Sequence, residues 1–132
     1  MIRFTFLALF SLGLALGPPP VHAQSLNELR TQLQATLQRS LGRAMIDGAL
    51  RHVDLGTGTL QSYYPTENHE IILRMGDVYV MCATLVSEDG RQVPVDYYIA
   101  EAGGRFGVVR MEIDNRAPLH TLMQAGRATR LD

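Results

Sequence analysis

Four residues of this chain have the types and spacing for acid–base chemistry: Asp96, Tyr98, Arg110 and Glu112. Asp96 and Tyr98 are two apart, as are Arg110 and Glu112, so each pair shares one face of an extended strand. With the two strands adjacent, a carboxylate that could take a proton stands beside a tyrosine that could donate a hydrogen bond. Asp96 and Tyr98 are therefore the candidate catalytic pair, and a cross-strand ion pair is the plain alternative. The same face is expected to carry Tyr79, Met81 and Phe106, which with Asp96, Tyr98, Arg110 and Glu112 make up a candidate binding surface.

The other reactive side chains offer less. His52 and Asp54 share a strand face, and His69-Glu70 opens another, but no H-x-H or H-x₃-H spacing occurs, so no metal site is expected. Met75, Met81, Met111 and Met123 alternate with strand residues and read as core filler rather than soft metal ligands. Cys82 is the sole cysteine. It falls mid-strand with no histidine or arginine expected beside it, the setting of a buried, inert thiol. Gly56-Thr57-Gly58 and Gly103-Gly104 are turns with no helix after them, so they cradle no phosphate, and no cofactor is implied.

The elements that must position these residues begin with a helix. Ser25-Leu26-Asn27-Glu28 fits a capping box. Leu26, Leu29, Leu33, Leu37, Leu41 and Met45 then recur at steps of three and four, one apolar stripe on a helix from Ser25 to about Ile46. Gly48 is its expected stop. Ala49–Leu55 and Thr59–Tyr64 form an expected hairpin, and Pro65 to Asn68 a loop. Three further hairpins follow. His69–Met75 meets Val78–Ser87 over Gly76-Asp77. Val78–Ser87 meets Arg91–Glu101 over Asp89-Gly90. Arg91–Glu101 meets Arg105–Asp114 over Ala102-Gly103-Gly104.

These turns predict Ile71 opposite Cys82, Leu73 opposite Val80, Cys82 opposite Tyr97 and Thr84 opposite Val95. They also place Val95 opposite Met111, Asp96 opposite Arg110 and Glu101 opposite Arg105. One face, with Leu73, Val80, Cys82, Val93, Val95, Tyr97, Ile99, Val109 and Met111, should then receive the helix. The other face, including Tyr79, Met81, Leu85, Tyr98, Phe106 and Val108, is left half apolar and half charged. Pro118 starts a short C-terminal helix, Leu119–Ala125, and Gly126 stops it.

The first residues carry an address. Met1-Ile2-Arg3, the uncharged run Phe4 to Leu16, Gly17, three prolines and Val21-His22-Ala23 follow the order of a secretory signal, with cleavage expected before Gln24. The apolar run is well short of the ~20 residues a spanning helix needs. The expectation is a periplasmic or secreted domain of residues 24–132 without a stable membrane anchor. Lysine is absent, and loss of Arg3 leaves eleven arginines against thirteen acidic residues. That balance gives no electrostatic case for nucleic acid.

A long helix followed by a long-stranded antiparallel meander resembles the cystatin-like and ketosteroid-isomerase-like superfold over roughly Ser25 to Ile113, in order of elements and without a family motif. The resemblance implies an α+β fold in which a curved sheet wraps a helix. It also implies use either as a cone for a small apolar ligand or as a dimer joined through the outer sheet face. A non-enzymatic binding or accessory protein is the leading expectation, with a homodimer or protein partner on the outer face. A small isomerase- or hydratase-like enzyme centred on Asp96 is the alternative, and a structural homodimer subunit the third.

Overall fold

A computed structural model describes residues 25–132. The expected signal, residues 1–23, and its cleavage point before Gln24 lie outside the described residues. The chain forms α1 (Leu26–Ala44), β1 (Met45–Ile46), β2 (Ala49–Asp54), β3 (Thr59–Met75), β4 (Val78–Ser87), β5 (Gln92–Ala102), β6 (Arg105–Ile113), α2 (Ala117–Gln124) and β7 (Thr129–Leu131). The strands make one antiparallel sheet in the order β1-β2-β3-β4-β5-β6, with β7 added to β3. The fold is α+β, a helix packed on an antiparallel meander with a short C-terminal helix. Among the described residues no helix is long and apolar enough to cross a membrane.

The start of α1 is the expected one. The Ser25 side chain accepts from the Glu28 N–H at 3.2 Å, and Glu28 accepts from the Ser25 N–H at 3.1 Å. The helix ends at Ala44, earlier than expected. Asp47 and Gly48 both have positive φ (51° and 76°) and close a two-residue hairpin that pairs Ile46 with Ala49. That is a type I′ turn, and it claims Met45 and Ile46 for the sheet. Leu29, Leu33 and Leu37 dock on the sheet with Leu33 0% exposed.

Two turns differ in length from expectation, and the register follows them. At the β4–β5 turn the Gly90 N–H donates to the Ser87 carbonyl at 2.9 Å, and the Ser87 N–H donates to the Arg91 carbonyl at 2.9 Å. Gly90 takes φ +81°. The loop is therefore Glu88-Asp89-Gly90, a turn whose last residue is left-handed, and not the two-residue Asp89-Gly90. The extra loop residue moves β5 by one place along β4. Met81 pairs with Tyr97, Cys82 with Asp96, Ala83 with Val95 and Leu85 with Val93. A one-residue slip exchanges faces. Tyr79, Met81 and Leu85 thus lie under α1 with Val93, Val95, Tyr97 and Ile99, while Val80 and Cys82 turn to the opposite face.

At the β5–β6 turn, Gly103 (φ 58°) and Gly104 (φ 73°) alone form the loop and Ala102 pairs with Arg105. A bulge then leaves Val109 as the extra residue, 63% exposed, between the pairs Ile99↔Val108 and Tyr98↔Arg110. Val95 pairs with Ile113, Asp96 with Glu112 and Glu101 with Phe106, so neither expected cross-strand ion pair forms.

Pro65 to Asn68 is not a loop. β3 runs on through it with register shifts on either side of Asn68, so Leu73 meets Val80 as expected while Ile71 does not meet Cys82. Tyr64 to Ile71 is exposed throughout. β2 flanks β3 up to Tyr63 and β7 flanks it from Ile72 to Arg74, which leaves the stretch between them with β4 alone.

The second face is covered as well. Leu119, Leu122 and Ala128 from α2 and the following turn pack on Leu73, Val80, Cys82 and Tyr98. The half-apolar outer surface expected from the sequence is thus two interiors, one beneath each helix.

Candidate functional site

Alternation along β5 and β6 places Asp96, Tyr98, Arg110 and Glu112 on the α2 face, as direct partners Asp96↔Glu112 and Tyr98↔Arg110. Tyr79, Met81 and Phe106 lie on the α1 face. The Tyr79 and Phe106 rings are 6.0 Å apart, and the Arg74 guanidinium stands 5.6 Å over Tyr79. The seven expected binding residues are therefore divided between two faces.

Asp96 is 0% exposed. The residue that accompanies it there is one the sequence reading missed. Arg116, at the N-cap of α2, donates from one nitrogen to Asp96 Oδ1 at 3.1 Å and to Cys82 Sγ at 3.1 Å. Burial, together with the Asp96 carboxylate as hydrogen-bond acceptor, pushes the Cys82 thiol up to about 12. Such a thiol stays protonated at ordinary pH and is a poor nucleophile. Burial, then the Asp96 and Glu112 charges, raises Tyr98 above the usual phenol range. Glu112 is engaged on its own strand and loop, by Arg110 Nε at 2.6 Å and by Asn115 Nδ2 at 3.0 Å. The whole arrangement fastens α2 to the sheet. Asp96 Oδ2 and the Tyr97 hydroxyl are left without a hydrogen-bond partner.

Open space lies elsewhere. A cleft of about 590 Å³ opens between the β2–β3 hairpin and the end of β6, with Arg91 at the start of β5 between them. Its wall on one side is a chain of hydrogen bonds. The Tyr63 hydroxyl donates to Gln61, and Gln61 Nε2 donates to Asp54 Oδ2 at 3.3 Å. Asp54 Oδ1 holds the hairpin turn by accepting from the Gly56 N–H at 2.8 Å. The His52 ring meets Tyr63 edge-on, with centroids 6.4 Å apart. Burial raises Tyr63 above its ordinary value. Across the cleft, Met111 and Ile113 supply apolar surface, and Arg91 pairs with Asp114 at 2.8 Å. Asp96 and Tyr98 are not among its lining. Of the residues singled out from sequence, His52, Asp54, Arg110, Met111 and Glu112 are.

Of the described histidines, His69 and His120 stand apart from this wall. His69 shares a hydrogen bond with the Thr84 hydroxyl at 3.2 Å, and His120 is exposed on α2. No group of three His, Cys, Asp or Glu side chains placed to hold a metal ion occurs among the described residues. Comparison with protein-family models, with curated proteins and with solved structures found no match to this chain.

Proposed function

We propose that this chain is an exported, non-enzymatic binding protein that takes a small amphipathic ligand in the cleft between the β2–β3 hairpin and the end of β6. The observation that carries the reading is the cleft itself. Its volume of about 590 Å³ falls within the range of small-molecule sites, and both walls mix apolar with polar side chains, Val53 and Leu55 beside His52 and Asp54, Met111 and Ile113 beside Arg110 and Glu112. Its carboxylates are already engaged: Asp54 by the hairpin turn and Gln61, Glu112 by Arg110 and Asn115, Asp114 by Arg91. Met111 and Ile113 are then left for the apolar part of a ligand, and His52 for a polar one. The groups that an enzyme would need, the Cys82 thiol and the Asp96 carboxylate, are instead enclosed beneath α2. The cleft is not the cone between helix and sheet that the resemblance implied, since no residue of α1 lines it.

The test uses Nile red, an uncharged amphipathic dye. Saturable fluorescence enhancement is expected with the wild type and is lost in Met111→Arg, which puts a guanidinium into the cleft. A melting temperature matching the wild type confirms that the variant is folded. Absence of dye binding to the wild type, or equal binding by a folded Met111→Arg, overturns the proposal.

A further inference from the structure

A second cleft, of about 420 Å³, lies between α1 and the β5–β6 turn and shares no lining residue with the first. Its chemistry is of one sign. Arg39 and Arg105 line it with Gln32, Thr36, Gly104 and Phe106, and no carboxylate is among them. Arg39 and Arg105, like Arg30, Arg43, Arg74 and Arg127, have no carboxylate partner among the described residues, and they are the two of these that line one cleft. Arg39 is nevertheless held. It donates to the hydroxyl of Thr36 at 3.1 Å, and Thr36 is itself buried in the helix–sheet interface. A guanidinium fixed from below loses less freedom when it binds.

On the other wall the Gly103-Gly104 turn brings Arg105 to the cleft. Gly104, at φ +73°, has no neighbour within 4 Å of where a Cβ would stand, so its backbone is open to a ligand. Phe106, half-buried and packed on Tyr79, gives a flat apolar wall beside the two charges.

We propose that this cleft binds an oxyanion — phosphate, sulfate or carboxylate — carried by a molecule whose apolar portion lies on Phe106. Two guanidinium forks without a carboxylate partner match the planar, multiple acceptors of such a group. The site shares no residue with the Nile red cleft, so the two proposals stand or fall separately.

Phenyl phosphate and inorganic phosphate are titrated into the ¹⁵N-labelled protein and followed by NMR. Saturable shifts are expected at the Gly104, Arg105 and Phe106 amides, with phenyl phosphate the tighter of the two. Arg39→Gln and Arg105→Gln each weaken phenyl phosphate by about tenfold, the loss of one charge-assisted contact. Arg43→Gln, one turn along α1 and outside the lining, leaves it unchanged. Both target arginines are exposed, so melting temperatures stay at the wild-type value. Co-sedimentation with phosphatidylglycerol vesicles, lost in the double variant, would assign the oxyanion to a lipid headgroup; no co-sedimentation assigns it to a soluble ligand. Absence of saturable shifts, or shifts that persist in the folded double variant, overturns the proposal.

Discussion

Arg116→Met keeps most of the aliphatic reach of the side chain and deletes its charge. In the wild type that charge stands 3.1 Å from the carboxylate of Asp96, which is 0% exposed, while the Arg116 side chain is 34% exposed. Removing one member of a fully buried pair costs about 3–5 kcal/mol, because the other is left charged without a partner. Solvent at the arginine end screens part of that interaction, so the expected loss is about 2–3 kcal/mol. In a domain of this size that lowers the melting temperature by ~10–20 °C.

Urea denaturation followed by circular dichroism measures the loss directly. Repeating it in an Asp96→Asn background separates charge from packing. With the carboxylate gone, Arg116→Met should cost less than ~1 kcal/mol, giving a coupling energy of roughly 1–3 kcal/mol, within the span seen for contacting pairs. An Arg116→Met protein within ~0.5 kcal/mol of wild type, or the same cost in both backgrounds, would refute the claim that this pair fastens α2.

Three further outcomes follow from the same geometry. Burial, then the Asp96 carboxylate, pushes the Cys82 thiol from its ordinary 9.0 up to about 12, so the stability tied to it is complete below pH 9 and is lost as pH rises toward 12. Cys82→Ala should flatten the alkaline fall in denaturation free energy, and an unchanged pH profile would exclude the linkage. Leu33→Ala should cost about 2–5 kcal/mol by chemical denaturation, since Leu33 is fully enclosed between α1 and the sheet; a loss under ~0.5 kcal/mol would mean that the helix is not docked there. Gly90→Val should cost about 1–2 kcal/mol, because its φ of +81° is unfavourable for a branched side chain; a variant as stable as wild type would show that the loop does not need that conformation.

The helix stripe, the capping box and the position of every turn between Met75 and Arg105 could be read from residue order, because each is fixed by neighbours in sequence. Register could not. It depends on whether a loop holds two residues or three, and Asp89-Gly90 suits both a type I′ pair and the end of a longer turn. The two errors had different consequences. The β4–β5 slip was one residue and exchanged the faces of Met81 and Cys82. Between Asp96 and the end of β6 the offset was two, Glu112 in place of Arg110, and an even offset keeps the face. That is why Asp96, Tyr98, Arg110 and Glu112 stand together as expected while Tyr79, Met81 and Phe106 do not join them. Arg116 gave no local signal, since it reaches Asp96 only once α2 folds back across the sheet. The cleft at the β2–β3 hairpin was hinted at by the shared strand face of His52 and Asp54, but its opposite wall comes from residues some sixty places later in the chain.

The exposed middle of β3 divides the sheet mechanically. Between Tyr63 and Ile72 the strand has no neighbour on its outer side, and on its inner side the ladder shifts register on both sides of Asn68. Backbone amides there should exchange with solvent early, ahead of the paired stretches on either side. The stretch separates the half of β3 held by β2, beside the first cleft, from the half held by β7. A molecule seated in that cleft would slow exchange in the hairpin and, through Glu112 and Asn115 in its far wall, at the adjoining start of α2.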